Sequence, residues 1–309
     1  MPETWPVDYK FNRDVPMSLR PRRSALYMPG SNNRAIEKAR TLPVDAVILD
    51  LEDSIAPEAK GAAREQVRAA IQAGGFGSRE VVVRINGLDT EHWLADVDMV
   101  HDVRPDAILV PKVSQAATLE NLAGRLMDLG TDHKIRVWAM VETPFAILNV
   151  REIAAVARDS ETRLSCLVVG TNDLAKEMRA RIVPGRAPVL PLLITAILAS
   201  RAYGLDILDG PFNDLVNAQG FADECAQARD IGFDGKTLIH PNQIASCNAA
   251  FTPSAEEMTQ ARAIIAAFDL PENHNKGVIA LDGRMVERLH ADIARRTVAI
   301  ADATAERGS

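Results

Sequence analysis

Arg136-Val137-Trp138-Ala139-Met140-Val141-Glu142-Thr143-Pro144-Phe145 runs from apolar side chains to a carboxylate, and then to a Thr-Pro pair that suits a helix start. The apolar run is continuous instead of alternating, which is the pattern of a strand buried on both faces of a parallel sheet. A strand, a polar residue and a helix in that order make one βα unit, and the unit repeats in both directions. Candidate strands are Ser24–Met28, Ala46–Leu51, Glu80–Ile85, Ala107–Lys112, Arg136–Val141, Leu164–Val169, Asp206–Leu208 and Gly235–Ile239. Amphipathic helices are expected at Asn33–Leu42, Pro57–Ala73, Glu91–Val100, Ala116–Leu129, Phe145–Ala157, Leu190–Ala202 and Asn217–Asp230. Eight strands, nearly all followed by a helix, predict an α/β fold of the (β/α)8 TIM-barrel type. An open doubly wound sheet would usually begin with a glycine-rich phosphate loop. Met28-Pro29-Gly30-Ser31-Asn32-Asn33 holds a single glycine, and Gly74-Gly75-Phe76-Gly77 precedes a strand instead of following one.

The 309 residues suit one large domain or two ordinary ones. The barrel fills residues 23–250, after an irregular arm over residues 1–22 that carries Pro2, Pro6, Pro16 and Pro21. Residues 251–309 break the rhythm. A helix capped by Pro253-Ser254 runs to about Phe268, then come Val278–Leu281, an Asp282-Gly283 turn and a last helix expected from Arg284 to Ala305. This C-terminal extension reads as a helical lid. With 47% hydrophobic and 25% charged residues the chain is globular and not disordered. A net charge of −7 argues against a dedicated nucleic-acid binder but leaves room for a small anionic ligand. No apolar stretch is long enough to span a bilayer, and the first residues lack the apolar centre of a secretory signal. Three cysteines at no metal-like spacing read as reduced thiols, and the expectation is a cytoplasmic protein.

Barrel chemistry sits where strands end and loops begin. There the sequence places Asp50-Leu51-Glu52-Asp53, Arg84-Ile85-Asn86, Lys112, Glu142, Asn172-Asp173, Asp209 and His240. Carboxylates without a His cluster point to a hard cation such as Mg2+, with Mn2+ the alternative. Glu142 and Asp173 are the expected ligands, because both follow apolar strands that should be neighbours. Arg84 is the expected anchor for a substrate carboxylate or keto-acid oxygen. Glu52 and Asp53 are catalytic candidates on the same rim. Each residue has a structural alternative: helix-capping acids for Asp50, Glu52, Asp53, Glu142 and Asp173, an ion pair with Glu52 or Asp53 for Arg84, and a barrel ion pair for Lys112. His240 before Pro241 reads as a hydrogen-bonded structural histidine.

These segments resemble the citrate lyase β-subunit-like family of CoA-ester lyases, which includes malyl-CoA and citramalyl-CoA lyases, within the HpcH/HpaI aldolase superfamily. The resemblance rests on Arg23-Ser24-Ala25-Leu26-Tyr27-Met28-Pro29-Gly30, Asp50-Leu51-Glu52-Asp53-Ser54, Val83-Arg84-Ile85-Asn86, Pro111-Lys112 and Val141-Glu142-Thr143-Pro144. It continues through Gly170-Thr171-Asn172-Asp173-Leu174, Gly235 to Pro241, and Asp282 to Glu287, from about Arg23 to about Ile300. It implies a barrel with a lid that closes over a neighbouring subunit, in a homotrimer or a dimer of trimers. It also implies Mg2+ on Glu142 and Asp173, a keto acid on Arg84, and CoA as part of the substrate. One departure stands in the lid motif, where the family's acid/base aspartate is matched by Glu287.

The expected reaction is therefore Mg2+-dependent retro-aldol cleavage, or the reverse Claisen condensation, of a 3-hydroxyacyl-CoA such as malyl-CoA or citramalyl-CoA, giving an acyl-CoA and a 2-keto acid. Arg84 would stabilise charge on oxygen, and Glu287 would exchange a proton with the acyl-CoA carbon. Arg23, Lys60, Arg64 and Lys236 are the candidate CoA-phosphate contacts, with the helix start at Ser31–Asn33 as a further anion site. The alternatives are a malyl-CoA thioesterase and a citrate lyase β subunit acting on an acyl carrier within a complex. A metal-dependent aldolase for free hydroxy-keto acids is a further rival, which the long C-terminal extension disfavours.

Overall fold

The computed structural model describes residues 20–308. All but the end of the arm expected over residues 1–22 lies outside the described residues. Eight parallel strands close on themselves: β1 (Ser24–Pro29), β2 (Ala46–Asp50), β3 (Glu80–Arg84), β4 (Ala107–Val110), β5 (Arg136–Val141), β6 (Leu164–Val169), β7 (Asp206–Asp209) and β8 (Gly235–Leu238). Each pairs with its sequence neighbours, and β8 returns to β1 through Ala25 opposite Thr237. This is the (β/α)8 TIM barrel expected from the pattern of apolar runs.

Side chains along each strand alternate between the barrel axis and the surrounding helices. Ala25, Ala46, Ile48, Val82, Leu109, Trp138, Met140 and Val168 share the inner cluster. Leu26, Val47, Leu49, Val83, Val110, Val141 and Leu238 pack outward under the helices. The two-residue period then assigns the strand ends. Tyr27, Asp50, Arg84 and Glu142 fall on the inward parity, whereas Asp209 and Lys236 fall on the outward one. At the opposite end, Arg22 plugs the barrel. Its guanidinium bonds Glu80 at 2.8 Å and Asp206 at 2.5 Å and stacks 5.0 Å from the Trp138 ring.

The helix expected over Phe145–Ala157 is broken. One helix covers Pro144–Leu148 and the next Val150–Ala155, with Asn149 between them donating to the Ser114 carbonyl at 2.9 Å. Two compact units divide the described residues after Thr252. The second contains a helix (Ala255–Phe268), a hairpin of β9 (Val278–Leu281) and β10 (Arg284–Glu287), and a long helix (Arg288–Gly308). Ser254 caps its first helix reciprocally with Glu257, and Phe268, Ile279, Val286 and Ala291 form its core. The last helix thus begins at Arg288, not at Arg284. Asp282 and Gly283 take φ of 50° and 76°, the left-handed pair that turns two short strands back on each other. Among the described residues no helix is long and apolar enough to cross a membrane.

Candidate active site

The C-terminal rim of the barrel is organised around Arg84. Asp50 grips the guanidinium edge through Nε at 2.6 Å and Nη2 at 2.7 Å. The same carboxylate accepts from the backbone N–H groups of Glu52 at 2.9 Å and Ser54 at 3.2 Å, so it also shapes the loop after β2. Arg84 Nη1 reaches Glu52 at 3.0 Å and Asp53 at 3.5 Å, and the guanidinium lies 4.9 Å from the Tyr27 ring. Burial would push Asp50 up, but the hydrogen bonds and charge of Arg84 reverse this and hold its carboxyl below the usual range. The sequence pattern alone leaves Asp50 outside the expected site, although its inward parity on β2, the strand beside the one that carries Arg84, signals this place.

Glu52 bridges two cations, accepting from Arg84 on one oxygen and from Lys112 Nζ at 2.5 Å on the other. Burial nevertheless leaves its carboxyl raised. The backbone N–H of Lys112 donates to Glu142 Oε1 at 2.7 Å, so Lys112 ties the end of β4 to both neighbouring carboxylates. Glu142 is buried, and desolvation, abetted by the charges of Glu52 and Asp173, pushes it up to about 7. Its second oxygen lies against Gly170, where an added Cβ would fall 2.4 Å away. Asp173 opens the helix Thr171–Glu177 that follows β6.

This donor set fits a hard divalent cation. Among the described residues no three His, Cys, Asp or Glu side chains gather as a closed cage would require. Mg2+ needs no such cage, because it takes one or two carboxylates and completes its shell with water and substrate oxygens. A buried carboxyl driven up by its neighbours is an anion that a nearby cation would stabilise. Gly170→Ala keeps an ordinary backbone but drives a methyl into Glu142. It should weaken Mg2+ affinity and turnover by about 10–100-fold at unchanged secondary structure, measured by calorimetry, kinetics and circular dichroism.

The rim therefore unites Glu52, Asp53, Arg84 and Glu142, with Asp173 at the adjoining strand end. Glu287 closes β10 in the second unit. Arg84 is not an open fork for a substrate: Asp50 holds its outer edge, and only Nη1 faces Glu52 and Asp53.

Of the four expected CoA-phosphate contacts, Arg23 and Lys236 require correction, whereas Lys60 and Arg64 are engaged with partners in the fold. Arg23 precedes β1 and bonds Asp45 and Thr252, at the end of the barrel opposite the rim. Lys236 is 0% exposed and pairs with Asp209 and Glu224 at 2.7 Å, because its parity points it under the helices. Arg186 completes that buried cluster on Asp209. Lys60 Nζ holds the carbonyls of Leu51 and Glu52 at 2.9 and 2.7 Å. Arg64 pairs with buried Asp96, which in turn orients Asn86. His240 caps its own turn by accepting from Asn242 N–H through Nδ1 at 3.2 Å, the structural role expected for it.

A family model described as HpcH/HpaI aldolase/citrate lyase matches residues 23–241. Proteins of Cereibacter sphaeroides named (3S)-malyl-CoA thioesterase are 44–47% identical to this chain, the first over 285 residues, 92% of this chain and 96% of its own length. The L-malyl-CoA/beta-methylmalyl-CoA lyase of the same species is 33% identical, covering 87% of this chain and 91% of the lyase. The crystal structure of CitE from Mycobacterium tuberculosis in complex with magnesium, acetoacetate and coenzyme A superposes with a TM-score of 0.73 at 28% identity, covering 92% of this chain and 100% of that one. These similarities overturn carbon–carbon cleavage as the leading expectation, since the more similar relatives carry the thioesterase name that stood as its alternative. With its closed eight-stranded barrel and its carboxylate-and-arginine rim, the chain is an enzyme that belongs to the HpcH/HpaI aldolase/citrate lyase family.

Proposed function

We propose that this enzyme hydrolyses the thioester of a small hydroxyacyl-CoA of the malyl class, releasing the free hydroxy-dicarboxylic acid and CoA. The observation that carries the reading is the gap between 47% identity to a (3S)-malyl-CoA thioesterase and 33% to a malyl-CoA lyase, each over most of the chain. Water adds its oxygen to the thioester carbonyl carbon, the carbon–sulfur bond breaks, and the departing sulfur receives a proton. Glu52, raised by burial and set between Arg84 and Lys112, takes the proton from water. Arg84 Nη1 faces the charge that develops on the carbonyl oxygen, and Asp50 fixes the guanidinium so that little reorganisation is needed. Glu142 and Asp173 would hold Mg2+, which supplies Lewis-acid polarisation of substrate oxygens. Glu287 is kept as a proton-transfer candidate on its motif resemblance alone.

The test incubates purified protein with Mg2+ and malyl-CoA and follows free thiol, malate and glyoxylate separately. Thiol and malate should appear in equal amounts. Glyoxylate and acetyl-CoA in their place would overturn the reading.

A further inference from the structure

We propose that Lys112 is the specificity residue of this site: its ammonium receives the free carboxylate at the far end of the acyl group and releases Glu52 as it does so. The inference rests on the thioesterase reading and names the group that selects a dicarboxylic acyl chain.

Three observations converge on Lys112. The first is its backbone. With φ of 53° it occupies the left-handed region, which a lysine adopts at an energetic penalty and glycine does not. Extended continuation of β4 would put Lys112 on the outward parity of Val110, under the helices. The left-handed turn instead brings Nζ over the rim to Glu52. Such strain clusters at functional sites, and here it aims a charged side chain over the rim.

The second observation is which cations a substrate can reach. Arg84 is flanked by Asp50, Glu52 and Asp53, and Lys112 by Glu52 and Asp53 with its backbone N–H on Glu142, an acidic surround for an anionic substrate. Arg84 is buried and offers only Nη1, the group assigned to the carbonyl oxygen, because Asp50 holds its Nε and Nη2 edge. Lys112 has a side chain 47% exposed, so it can turn to an incoming anion.

The third is that its present partner is exchangeable. Only the lysine end of the pair is exposed, and buried Glu52 has Arg84 as a second cation, so Lys112 can turn to another carboxylate without leaving Glu52 uncompensated. Glu52 keeps Arg84 and the Asp53 N–H when Lys112 leaves, so its position survives while its Oε1 becomes available to water. Binding of the correct acyl group would thereby uncover the base, which ties selectivity to turnover.

The experiment compares malyl-CoA with 3-hydroxybutyryl-CoA, which replaces the free carboxylate by a methyl, in the wild type, Lys112→Met and Lys112→Arg. The wild type should favour malyl-CoA by at least about 10²-fold in kcat/KM. Lys112→Met should lose most of that preference, chiefly through KM for malyl-CoA, and Lys112→Arg should restore part of it. An absent wild-type preference, or one unchanged in Lys112→Met while both substrates slow equally, overturns the proposal. Thioether analogues of the two esters, which cannot be hydrolysed, give the same comparison as binding constants. They keep this test separate from the thioesterase reading, which fails on its own if the wild type releases no thiol from malyl-CoA.

Discussion

Glu142→Gln is expected to lower turnover of malyl-CoA by roughly 10²–10³-fold, the scale for losing one electrostatic group at a reacting centre. Glutamine keeps the volume and an oxygen that can still accept from Lys112 N–H, the 2.7 Å contact that holds the side chain in place. What it loses is the negative charge at the one rim carboxyl pushed up to about 7 by burial and by its acidic neighbours. The fold should therefore stand while Mg2+ binding weakens. Calorimetric titration with Mg2+ alone separates the effects, since it needs no substrate. Unchanged Mg2+ affinity together with normal turnover would remove Glu142 from the metal site.

Asp50→Asn acts on stability as well as on rate. Removing one carboxylate of this buried cluster leaves Arg84 with Glu52 and Asp53 alone to balance it, at a penalty of up to about 3–5 kcal/mol. Asparagine keeps one acceptor oxygen but loses the charge and the two-pronged grip on Nε and Nη2, so both the position of Arg84 and the loop after β2 should loosen. The melting temperature should fall by on the order of 10 °C and turnover by about 10²-fold. The pH dependence has a definite sign. The folded-state carboxyl of Asp50 lies below its ordinary value, so its stabilisation is complete above the ordinary aspartate range and is lost as pH falls through the lowered one. Asp50→Asn should flatten that acid limb of the stability profile. Acid melting curves that superpose for the two proteins would mean that the Asp50–Arg84 pair does not contribute as described.

Much of the barrel was legible because strands buried on two faces cannot be polar. Arg136–Val141 and Leu164–Val169 have the bounds their apolar runs suggested, and other strands stop within a residue or two of theirs. Glu142 could be found for the same reason: a charged residue directly after such a run must emerge at the rim. The misplaced cations show what the reading neglected. Arg23 stands before β1 and so belongs to the far end of the barrel, and Lys236 shares the outward parity of Leu238. Both facts follow from strand direction and the two-residue period. The hairpin was harder, because Arg284-Met285-Val286-Glu287 reads smoothly into the helix behind it and becomes β10 only by pairing with β9. Asn149 breaks a helix through a hydrogen bond to Ser114, a residue distant in sequence, which no local pattern reports. Under the proposed reading, thioester hydrolysis would rely on the same carboxylates and arginine that carbon–carbon cleavage was expected to use, so the motifs alone do not separate the two.

The most direct measurement of that difference is the fate of water oxygen. Malyl-CoA turned over in water enriched in oxygen-18, with Mg2+ present, should yield malate carrying one labelled oxygen in the carboxylate that was the thioester, together with an equal amount of free CoA thiol. Acetyl-CoA free of label, with its carbon–sulfur bond intact, formed together with glyoxylate would contradict the account.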